Sequence, residues 1–97
     1  MLNMQKYQTM EAIEDLLDDY DLLIASLDAE IALINEKNQI IESKMKVHKP
    51  PHEKVFGYQR LTENKKEFDF HELMKQTYQQ YQDGLREKLN NIQRGEE

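Results

Sequence analysis

Residues 10–45, MEAIEDLLDDYDLLIASLDAEIALINEKNQIIESKM, decide how this chain folds. Every third and fourth position gives Met10, Ile13, Leu17, Tyr20, Ile24, Leu27, Ile31, Ile34, Asn38, Ile41 and Met45. The spacings alternate 3, 4, 3, 4 without a break, and all of these positions except Asn38 are apolar or Tyr. A period of 3.5 held this long is the mark of a helix whose apolar seam stays against a partner helix. The pattern predicts a helix over about 9–46, with the seam itself about 54 Å long at 1.5 Å per residue.

Outward from that seam, Asn38 falls at an a position if Met10 is a. A buried Asn there fixes register and strand number at some cost in stability, whereas a frayed helix end would leave it in water. Lys37 at g could meet Glu42 at e of a parallel partner, an exposed pair contributing only a few tenths of a kcal/mol. Ala12, Leu16, Leu23, Leu33 and Ile40 occupy c and g positions, on one side of the seam only. That second stripe would stay wet in an isolated two-stranded coil, so it predicts a helix belonging to a bundle. Leu22 sits alone at f, on the outer face.

The C-terminal third reads as a second helix over about 69–94. Asp69 serves as cap, Glu72 as its capping-box partner, and Phe68 staples onto Leu73. The apolar face continues through Met74, Tyr78, Tyr81, Leu85, Leu89 and Ile92, with Phe70 and Thr77 beside it. Arg94-Gly95 supplies a stop, with a cation in the last turn and a glycine just past the end. Gly84, costing about 1 kcal/mol relative to Ala in a helix, suggests a close helix contact. Between the helices, 47–67 reads as a basic connection that contains Pro50-Pro51, with Val55–Leu61 as a short strand or ordered loop. Connections of this length are usually functional or mobile. The expected fold class is therefore all-α: one domain, a long heptad helix and a shorter antiparallel helix, forming a coiled coil or four-helix bundle on dimerisation.

The whole chain agrees with that class. Its 97 residues hold three Gly and two Pro, too few for a turn-rich β protein. There is no Cys, which removes disulfide staples and thiolate metal sites, and a chain this short has a thin core unless something is added to it. No apolar run exceeds the four residues of Leu22–Ala25, far short of the roughly 18 residues that span a bilayer. The first nine residues are mostly polar, so no secretion signal is expected and a cytoplasmic location is.

The net charge of −6 is segregated. Residues 1–43 carry ten acidic and two basic side chains, residues 44–66 two acidic and seven basic, and residues 67–97 seven acidic and four basic. Such blocks speak to partners rather than to fold. Two candidate partner surfaces follow. Glu11, Glu14, Asp15, Asp18, Asp19 and Asp21 form an acidic face that could stand in for a phosphate backbone in a basic cleft. Lys49, Lys54, Phe56, Tyr58, Arg60, Lys65 and Lys66 form a basic and aromatic set suited to phosphate contact with base stacking. Against the second stands the acidic balance of the chain, so nucleic acid is the less favoured partner.

Catalysis finds no support. There is no Gly-rich phosphate loop, and the two serines, Ser26 and Ser43, lie inside the heptad helix. No catalytic residue, cofactor or metal is expected. His48 and His52 flank Pro50-Pro51, and polyproline geometry at about 3.1 Å per residue would hold them roughly 12 Å apart. His71 beside Glu67 and Glu72 is no stronger, and the acidic stretch lacks the Gly and ligand spacing of a calcium loop. The expected role is stoichiometric protein binding by a small regulator, adaptor or inhibitor. The seam residues Ile13, Leu17, Tyr20, Ile24, Leu27, Ile31, Ile34, Asn38 and Ile41 are the expected helix and homodimer interface. A charge-driven effect on nucleic-acid processes is the alternative.

Overall fold

The computed structural model describes residues 2–47 and 51–95. They form two α-helices, α1 (Leu2–Lys46) and α2 (Pro51–Gln93), paired as a helical hairpin, with no strand among the described residues. In α1 the sequence pattern and the burial pattern coincide. Every described residue of α1 that is not exposed lies on the 3, 4 seam from Met10 to Met45, or on Lys6 one step before it. Lys44 and Lys46 in the last turn suit the negative end of the helix dipole. The Val47 N–H donates to the Lys44 carbonyl at 3.3 Å, tightening the final turn.

The second helix corrects three sequence expectations. It begins at Pro51 and not near residue 69, so 55–61 is helix rather than strand or loop, and the long basic connection shrinks to the few residues before Pro51. Proline ends helices from within, but at the first helical position it has no N–H to leave unpaired and its fixed φ is already helical. At 43 residues against 45, α2 is nearly as long as α1. The Phe68-Asp69-Glu72 cluster is mid-helix and caps nothing; Asp69 instead pairs with Lys65 at 3.6 Å, one turn earlier on an exposed face. The C-terminal stop is as expected, with Gly95 at φ 79° and its N–H donating to the Ile92 carbonyl at 3.0 Å.

The seam of α2 also runs 3, 4, 3, 4: Lys54, Gly57, Leu61, Asn64, Phe68, His71, Lys75, Tyr78, Gln82, Leu85, Leu89, Ile92. None of the twelve is exposed. Leu73, Tyr81 and Phe70, expected on or beside the apolar face, are instead exposed. Gln82 takes the central seam place that Tyr81 was expected to fill.

The chain divides into two compact units, Met1–Ser26 with Lys75–Glu97, and Leu27–Met74. In the first, Ile13 and Ile92 are buried, and the Tyr20 ring lies 5.6 Å from Tyr78 and 6.0 Å from Tyr81. Gln82, only 4% exposed, donates through Nε2 to Asp21 Oδ1 at 2.5 Å and to the Leu17 carbonyl at 3.3 Å. In the second, Leu27, Ile31 and Ile34 are buried, Ile34 most completely at 3%. Asn64 Nδ2 donates to Asn38 Oδ1 at 2.9 Å across the two helices. Asn38 thus has a partner inside its own chain, and it is neither frayed nor fully wet. The nine residues expected at an oligomer interface are all buried or half-buried in the single chain.

Candidate functional site

Pairing α1 with α2 through a and d positions leaves the second apolar stripe uncovered. Leu16, Leu23, Leu33 and Ile40 are all exposed, so α2 is not the helix that their placement predicts. With α2 lettered from Lys54 as a, Phe56 takes a c position and Arg60 a g position. In the Leu27–Met74 unit these meet the corresponding positions of α1 along one edge. There Lys37, Ile40, Lys44, Phe56, Arg60 and Glu63 surround an open groove of about 700 Å³, floored by Ile41, Met45, Gly57 and Asn64.

Each part of the groove has a local cause. Gly57 sits where a Cβ would come within 2.7 Å of Met45 Sδ, so the absent side chain lets Met45 lie close across α2 and form part of the floor. Ile40 and Phe56 are 50% and 63% exposed, large apolar side chains presented to water on opposite walls. Lys37 and Lys44 stand one turn either side of Ile40, and Arg60 stands one turn beyond Phe56. Among the described residues none of these three cations is engaged in an ion pair. Apolar walls with a cationic rim, moderated by Glu63, suit an apolar side chain flanked by carboxylates.

The groove gathers only part of the basic set read from the sequence. Phe56 and Arg60 line it, but Phe56 and Tyr58 are two residues apart on a helix and so point about 200° apart. Tyr58, Lys65 and Lys66 lie on other sides of α2, and Lys54 is half-buried on the seam. These side chains do not form one stacking surface. Lys49 and His48 lie outside the described residues, as does the side chain of His52, so the proposed His48/His52 separation is not described. His71 Nδ1 is 2.6 Å from the Glu67 carbonyl, a bond within its own helix. No group of three or more His, Asp or Glu placed to hold a metal occurs among the described residues.

The acidic set is where its spacing predicts. Glu11, Glu14, Asp15, Asp18, Asp19 and Asp21 are all exposed, and Asp21 alone of them is bonded to α2, through Gln82. Leu16, Leu22 and Leu23 are exposed among them, Leu22 at 71%. Sequence reasoning missed Lys37, Lys44, Gly57 and Glu63 as groove residues. The first two were legible as neighbours of Ile40 on the c/g stripe, but the opposite wall needs α2 to begin at Pro51.

No described helix is long and apolar enough to cross a membrane. Comparison with family models, curated proteins and solved structures returned no match.

Proposed function

We propose that this protein is a non-enzymatic binding module, a small cytoplasmic regulator, adaptor or inhibitor that acts by docking a partner protein on the groove edge of its hairpin. The observation that carries the reading is the groove itself: Ile40 and Phe56 exposed on facing walls, with Lys37, Lys44 and Arg60 around them in no ion pair among the described residues. Large apolar side chains that face each other in water, rimmed by charge, are the usual anatomy of a docking site.

The test is site-specific photocrosslinking in native cells, with a photoreactive amino acid at position 56 or 40 and a control at the seam-facing position 61. Protein adducts at 56 and 40, lost with Arg60→Glu, support the reading. Adducts to nucleic acid, or none above the position-61 control, would overturn it. The acidic face offers a second reading, since its exposed carboxylates could occupy a basic nucleic-acid cleft. That reading requires competition with DNA or RNA for a target, abolished when Asp15, Asp18 and Asp19 become Asn.

A further inference from the structure

The groove asks for a helix of particular chemistry, and this chain contains such a segment. The occupant needs exposed leucine-sized side chains for the Ile40–Phe56 walls, carboxylates beside them for Lys37, Lys44 and Arg60, and no competing cations. Glu11–Glu30 has eight carboxylates and no Lys or Arg. On its outer surface Leu16, Asp19 and Leu23 share one stripe, and Asp15 and Leu22 stand next to it. The groove cannot take this segment from its own copy. Leu23 and Ile40 belong to one unbroken helix.

We propose that the groove binds the acidic Leu16–Leu23 face of a second copy of this chain. This deepens the docking reading above and rests on it. Apolar contact of Leu16 and Leu23 with Ile40 and Phe56 supplies most of the affinity. The rim charges set approach and orientation, because exposed pairs individually contribute little but steer strongly. Each copy carries both a groove and an acidic face, so two copies can satisfy each other reciprocally in the self-complementary manner of a twofold dimer.

Charge exchange tests this directly. One variant carries Lys44→Glu and Arg60→Glu in the groove; the other carries Asp15→Lys and Asp19→Lys on the acidic face. All four positions are exposed, and circular dichroism of each variant confirms that the helices persist. Sedimentation equilibrium from about 1 to 200 μM should show wild-type self-association that weakens about tenfold between 50 and 500 mM salt. Each variant alone should associate at least tenfold more weakly than wild type. An equimolar mixture of the two should recover association, because every groove then meets a partner face of opposite charge. A wild-type monomer throughout that range would overturn the proposal, as would association indifferent to both exchanges or a mixture no stronger than its components. If the wild type is monomeric while position 56 still crosslinks to another protein, the self-association falls and the docking function stands.

Discussion

The two units solve the same problem, a polar side chain in an apolar seam, by different means. In Leu27–Met74 the amides of Asn38 and Asn64 bond to each other, both half-buried, so each depends on the other for satisfaction. In the unit that joins Met1–Ser26 to Lys75–Glu97, Gln82 is buried but its acceptor Asp21 is exposed to solvent. The units also differ in their helix-interior glycines. Gly57 is held by a neighbour, since Met45 fills the space of its missing side chain, whereas a Cβ on Gly84 would meet nothing within 4 Å. The close helix contact expected at Gly84 is found at Gly57. A seam can therefore tolerate polar and small residues for reasons that position alone does not reveal.

The largest effect should come from the apolar core of the second unit. Ile34→Ala removes the most completely buried side chain and should lower unfolding free energy by about 3 kcal/mol in urea titration. A loss below about 1 kcal/mol would mean that Ile34 is not enclosed as described. Next, Asn64→Leu strands the Asn38 amide against an apolar neighbour and should cost about 1.5 kcal/mol. Adding Asn38→Leu should recover that loss or exceed it, at the expense of a single register, which disulfide trapping across the helices would report. Gln82→Leu should lose far less than Asn64→Leu, because Asp21 returns to solvent; equal losses would erase the distinction drawn between the units. Gly84→Ala should raise stability by about 1 kcal/mol through helix propensity alone. Gly57→Ala gains the same propensity but displaces Met45, at a rotamer cost of about 1 kcal/mol, so its melting temperature should stay near that of wild type.

The first helix was legible because almost nothing interrupts its seam: of the eleven seam positions from Met10 to Met45, Asn38 alone is neither apolar nor Tyr. The second was only half legible. Its seam obeys the same spacing, yet Lys54, Gly57, Asn64, His71, Lys75 and Gln82 hide it from any search for apolar periodicity. Pro51 compounded the difficulty, since a proline marks a helix start as readily as a stop and only its position in the helix distinguishes the two. The acidic face needed no second element and was read from α1 alone. The basic set was gathered by proximity in sequence, and helical winding scattered it around α2. The groove could not be read, because one of its walls depends on where α2 begins.

The unequal seams have a consequence for how this molecule chooses its pairing. Side by side as free peptides, the apolar stripe of α1 would match another α1 better than it matches α2, whose stripe holds five polar residues and a glycine among its twelve positions. What favours the observed pairing is tethering: a short covalent link presents α2 to α1 at an effective concentration of about millimolar. Stability of the hairpin is thus partly a property of connectivity. A nick between the helices would cost more than the peptide bond broken, because it would free α1 to exchange one partner for a better one.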